Sequence, residues 1–137
     1  MSPDSHYRFT LADDDANMLF FIHRMLAQVW PDSSIASFSK AEDALTYILS
    51  TGADMLITDH SMGEMDGAQL IRELRARKLT IPIIMISGSP GAREAAHEAG
   101  ATEFFEKGVH LKVLESHIRD LLTSGEPFNK RKSAYSF

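Results

Sequence analysis

Met55-Leu56-Ile57-Thr58-Asp59-His60-Ser61-Met62-Gly63-Glu64-Met65-Asp66-Gly67 is a short apolar run that ends on a carboxylate and opens into a polar loop. Four apolar residues bounded by turn-forming ones read as a buried strand over 55–58. The same arrangement recurs along the chain. Asp13 and Asp14 follow the run 7–12, Ser87 follows 83–86, and Lys107 follows 102–106. With the run at 35–38, these make five short segments rich in Ile, Phe, Met and Thr.

Stretches of helical period lie between them. The first begins near Ala16, and Leu19, Ile22, Leu26 and Val29 recur at steps of three and four. It stops at Trp30-Pro31, because the residue before proline is pushed out of the helical region. Ala44, Leu45, Ile48 and Leu49 form a second stripe, ended by Gly52. Leu70, Ile71 and Leu74 form a third, with Arg72, Glu73, Arg75 and Arg77 largely off that face. The fourth is expected to be capped by Ser89, with Pro90 at its first position. Its body, 92–99, has alanine as almost its whole apolar surface and is expected to pack lightly. The fifth runs from His110 to about Thr123, with Leu111, Leu114, Ile118 and Leu121 on one side and Gly125 as its stop.

Five strand–helix alternations with short connections predict an α/β fold, a doubly wound five-stranded parallel sheet with helices on both faces. Ligands of such sheets bind beyond the carboxyl ends of the strands. Asp13, Asp14, Asp59, Ser87 and Lys107 all stand at that end.

A chain of 137 residues suits one domain. Its apolar fraction of 44% and charged fraction of 24% are ordinary for a soluble globular protein. The net charge of −5 disfavours nucleic acid as the main partner, and the lack of cysteine removes disulfides and thiolate metal sites. Neither a long apolar segment nor a signal-peptide start is present, so no membrane partner and a cytoplasmic location are expected.

A carboxylate can attack phosphorus to form an acyl phosphate. Magnesium prefers a few carboxylates plus waters and phosphate oxygens, a need that Asp13, Asp14 and Asp59 fit. Phosphoryl transfer through a loose transition state asks chiefly for charge neutralisation, which Lys107 and the Ser87 hydroxyl can supply.

The acidic pair Asp13-Asp14, Asp59 followed by Met62, then Met65-Asp66-Gly67, Ser87, and Lys107 after Ala99-Gly100-Ala101 resemble the receiver domain of two-component response regulators. The resemblance covers residues 7–124, and the ordered set is far more specific than any piece. It implies the flavodoxin-like strand order 2-1-3-4-5 and a chemotaxis-regulator-like single domain. It also implies that Asp59 is the phosphoacceptor and that Asp14 binds Mg2+ directly. Asp13 would bind the metal closely or through water, and the Ser61 backbone carbonyl would complete the protein ligands. Ser87 and Lys107 would contact the phosphoryl group, and Phe104 would occupy the aromatic switch position.

As a member of this family the protein would be no metabolic enzyme, catalysing only its own phosphorylation and dephosphorylation. Its partners would be a histidine kinase or histidine phosphotransfer protein and a downstream protein target. The family often has proline where Gly63 stands, so the loop after Asp59 is expected to be more mobile here. It usually has a cis proline where Gly108 stands. A cis bond without proline costs about 2.5–4 kcal/mol, so a trans bond and an altered loop are expected here.

Blander roles compete at several positions. Asp15 reads as a surface or capping residue, and His60 as an exposed neighbour of Asp59. His6, His23, His97, His110 and His117 share no ligand spacing and read as surface groups. An aromatic such as Phe104 is ordinarily core. Met18, Phe21 and Met25 beside the first stripe are either a wider buried face or a docking surface for a phosphodonor. Residues 125–137 lack periodicity and are expected to form a disordered tail too short for a DNA-binding domain.

Three rival functions compete with this one. A phosphorylation-independent interaction module is suggested by Gly63 and Gly108. A metal-dependent phosphatase would want its nucleophile in a D-x-D pattern after the first strand, where this chain has an unbroken acidic run. A flavin-binding protein would need a hydroxyl-rich phosphate loop there, and three aspartates would repel phosphate.

Overall fold

The computed structural model describes residues 6–124. Strands and helices alternate as β1 (Arg8–Ala12), α1 (Ala16–Val29), β2 (Ser34–Phe38), α2 (Ala41–Thr51), β3 (Met55–Thr58), α3 (Gly67–Ala76), β4 (Ile83–Ser87), α4 (Ala92–Ala99), β5 (Glu103–Glu106) and α5 (Leu111–Ser124). The five strands pair in parallel in the order β2-β1-β3-β4-β5, the flavodoxin-like order that the resemblance implied.

Alternation along each strand divides the core between the two sheet faces. Phe9, Leu11, Met55, Ile57, Ile84 and Ile86 pack with α1 and α5. Ala12, Leu56, Ile83 and Met85 pack with α2, α3 and α4. The expected stripes hold at Ile22, Leu26, Leu70, Ile71, Leu74, Leu114, Ile118 and Leu121, all buried. Leu49 and Leu111 are exceptions, 44% and 40% exposed, since each lies at the edge of its helix's apolar arc.

Local signals account for most helix ends. Asp15 caps α1, its carboxylate accepting from the Asn17 and Met18 amides. Asp66 and Gln69 form a reciprocal capping box at α3. The start of α4 corrects the expectation. Ser89 is not its cap, nor Pro90 its first residue. The Ala92 amide instead donates to the Ser89 carbonyl, closing a turn with Pro90 and Gly91 at its corners. Gly91 has φ 78° and ψ −4°, the third position of a type II turn. A proline followed by glycine satisfies that turn better than it continues a helix. Gly125 lies outside the described residues, as does the expected tail.

Candidate functional site

Register builds the site. Ala12 lies opposite Thr58, and the Asp59 amide donates to the Ala12 carbonyl at 2.8 Å. Asp13 and Asp59 therefore leave adjacent strands side by side. On the other half of the edge Ser87 lies opposite Glu106, and the Lys107 amide donates to the Ser87 carbonyl at 3.2 Å. The Lys107 ammonium reaches back across, 3.4 Å from Asp59 Oδ2 and 3.6 Å from Asp13 Oδ2.

Asp13 and Asp59 are buried and Asp14 is exposed, yet one carboxylate oxygen of each lies within 4.8 Å of the others. Burial pushes the Asp13 carboxyl up to about 6. The Asp15 amide, 3.0 Å from Asp13 Oδ1, opposes this, the Asp59 charge adds to it, and Lys107 opposes it more weakly. Partial burial lowers the Lys107 pKa, but Asp13 and Asp59 together outweigh it and raise it. A crowded carboxylate group holding back one ionisation is suited to a hard divalent cation, which relieves the repulsion.

The loop after β3 is held on both sides. The His60 amide donates to Asp59 Oδ1 at 2.6 Å, and Thr58 Oγ1 to the Asp59 carbonyl at 2.8 Å. The Gly67 amide donates to the His60 carbonyl at 2.7 Å. A Cβ on Gly67 would lie 2.0 Å from the Asp59 carbonyl oxygen, so any side chain there would force the loop away from α3. Glycine is thus required by close approach. Gly63 and Gly108 have φ of 87° and 100°, a region closed to proline, whose φ is near −65°. All peptide bonds of the described residues are trans, as expected for Lys107–Gly108.

Ser87 is buried, and its hydroxyl accepts from the Ser89 amide at 3.1 Å. The Ser89 hydroxyl in turn bonds the Ser61 hydroxyl at 2.8 Å, joining the loops after β3 and β4. A cleft of about 520 Å³ connects Ser87, Ser89 and Lys107 to Phe104, which is half-buried in β5.

Residues 9–119 match the family model for the response regulator receiver domain. The chain belongs to that family. It is 30% identical over 124 residues to a chemotaxis protein CheY homolog of Campylobacter jejuni subsp. jejuni, covering 86% of this chain and 94% of that one. It is 28% identical over 123 residues to the cyclic di-GMP phosphodiesterase response regulator RpfG of Xanthomonas campestris pv. campestris, covering 87% of this chain. The match spans only 32% of that longer relative. In fold it resembles a response regulator crystal structure from Chloroflexus aurantiacus, with a TM-score of 0.78 at 24% identity, over 86% of this chain and 98% of that one. Receiver domains are two-component signalling modules that bind Mg2+ at an aspartate cluster, and no helix among the described residues is long and apolar enough to cross a membrane.

Several surroundings of this receiver site were not legible in the sequence. His60 is half-buried, with its Nδ1 buried and without a hydrogen-bond partner, rather than an exposed neighbour. His117 is no surface group: its Nδ1 lies 2.6 Å from Glu103 Oε1 and its ring meets Phe105 edge-on. His6, His23, His97 and His110 are exposed as expected. Arg75 turns back from α3 to donate to the carbonyls of Leu79, Ile81 and Gly100, and its burial lowers its pKa. A basic residue in the last helical turn was the one available signal, since such residues can bond terminal carbonyls. The row Met18, Phe21, Met25 splits: Met25 is core, Met18 half-buried and Phe21 54% exposed.

Proposed function

We propose that this receiver domain accepts a phosphoryl group on Asp59 from a phosphohistidine donor and signals, as a stand-alone module, by altered protein binding. The juxtaposition of Asp13, Asp14 and Asp59 within 4.8 Å, with Lys107 3.4 Å from Asp59, carries this reading. In the transfer a carboxylate oxygen of Asp59 bonds phosphorus while the phosphorus–nitrogen bond to the donor imidazole breaks, its electron pair remaining on nitrogen.

Asp13, Asp14, Asp59 and the Ser61 carbonyl would hold Mg2+, which when bound neutralises phosphoryl oxygen charge. Lys107 supplies a point charge to another oxygen, and the Ser87 hydroxyl donates to a third. The Ser89 amide already bonds the Ser87 oxygen, which leaves the Ser87 hydroxyl proton to aim at the phosphoryl group. As Ser87 engages the phosphoryl group, Phe104 turns toward the cleft beside it and alters the α4–β5 surface that a downstream protein reads. The donor is a histidine kinase or a histidine phosphotransfer protein. The exposed Phe20 and Phe21 on α1, the helix that follows the acidic loop, support this face as its docking surface. The phosphorylation-independent module is not favoured, since all the acidic, hydroxyl and ammonium groups converge on one edge.

Acetyl phosphate with magnesium, followed by intact mass, tests the reading. One added phosphoryl group is expected on the parent chain and none on Asp59→Asn. An unmodified parent chain would sink it.

A further inference from the structure

Phe104 is a wall between two clefts. One, of about 440 Å³, lies along α4 and β5; the other, of about 520 Å³, reaches Ser87 and Lys107. Arg93, Glu94 and Phe104 are the residues that border both. Open volume on two sides means that packing alone does not fix the ring, since absent neighbours contribute no dispersion contacts. What stands over its face is the guanidinium of Arg93, with Cζ 4.8 Å from the ring centroid. Arg93 is exposed on α4, the helix whose buried contacts are the methyl groups of Ala92, Ala96 and Ala99.

We propose that Arg93 is a positioning residue that clamps the Phe104 ring between the two clefts and thereby opposes phosphoryl uptake at Asp59. The inference rests on the reading that phosphorylation turns this ring toward Ser87. A stacked cation stabilises only the ring position that it covers, so it biases the equilibrium toward the unphosphorylated arrangement. The charge of Arg93 has the opposite effect. As a cation beside the cleft that holds Lys107 it attracts an anion, so the clamp and the simple charge predict opposite signs when Arg93 is neutralised.

The test is a calorimetric titration of the full chain with beryllofluoride at fixed magnesium. Arg93→Gln is expected to bind about threefold tighter than the parent, the size of one exposed cation–π contact. Arg93→Lys, which keeps a cation, is expected to lie between them. In a Phe104→Leu background the Arg93→Gln change is expected to bring no gain, because the ring it acts on is gone and only the attraction of its charge for the anion is lost. Unchanged or weaker binding by Arg93→Gln overturns the clamp, as does an equal gain in the Phe104→Leu background. A parent chain that takes up no beryllofluoride overturns the phosphoacceptor reading and the clamp together. Binding by the parent with no gain in Arg93→Gln removes the clamp alone.

Discussion

The two faces of the sheet are built from different material. Among the described residues, none of the thirteen buried on the α1–α5 face is alanine, and Trp30 packs its ring 5.6 Å from that of Phe9. On the α2–α4 face eight of the sixteen are alanine. Branched and aromatic side chains interlock, so helices that carry them resist displacement. Methyl groups give smooth contacts, over which a helix can shift with little loss. The candidate site stands at the edge where the faces meet, with its carboxylates at the ends of β1 and β3. Lys107, Ser87 and Phe104 stand on the side toward α4. The site thus borders both an interlocked face and one packed largely through alanine methyl groups.

The largest test of this contrast is Leu26→Ala, which empties a fully buried position on the α1–α5 face. Unfolding in urea is expected to show a loss of about 3 kcal/mol. On the other face Ala96→Gly removes one buried methyl, and about 1 kcal/mol is expected, mostly from helix propensity. Equal losses would erase the distinction. Hydrogen exchange sharpens it further: α4 amides are expected to exchange well before those of α1 and α5.

At the junction, Asp13 has a folded-state pKa of about 6, above its ordinary 3.8. Between those values the folded protein holds a proton that the unfolded chain releases, so its stability falls as pH rises through that window. Asp13→Asn removes the titration. In magnesium-free buffer near pH 7 its Tm is expected about 3 °C above the parent, with the difference gone below about pH 4. A Tm gap that ignored pH would mean that burial does not hold a proton on Asp13 in the folded state.

The smallest effect is expected at Thr10, buried in β1 with a hydroxyl that has no hydrogen-bond partner. Thr10→Val keeps the shape and removes an unpaired polar group, so its stability is expected to stay within about 0.5 kcal/mol or rise. A loss of 2 kcal/mol or more, well above the usual effect of such a change, would mean that an unseen partner, such as a water, satisfies that hydroxyl.

Much of this was legible one residue at a time. Apolar runs ending on Asp13, Asp59, Ser87 and Lys107 mark strand ends, and strand ends of a parallel sheet share one edge. Caps at Asp15 and Asp66 depend on neighbours two or three residues away, so they too are local. The α4 start departs from the local expectation because Ser89-Pro90-Gly91 satisfies both a cap rule and a turn rule, and the positive φ of Gly91 follows the turn. His117 against Glu103, Arg75 against Gly100 and Arg93 over Phe104 join separate elements. No periodicity announces such pairs.

The sequence by itself determined the order of strands and helices, the apolar stripe of each, and the groups that four of the strands deliver to the common edge. These follow from backbone preference and burial, which act over a few residues. Tertiary structure alone decided that Lys107 reaches both Asp13 and Asp59, that Gly67 must lack a side chain, and that Phe104 lies beneath a cation between two clefts. Each depends on strand register and helix placement to within an ångström or so, and those are set by the packing of the whole core.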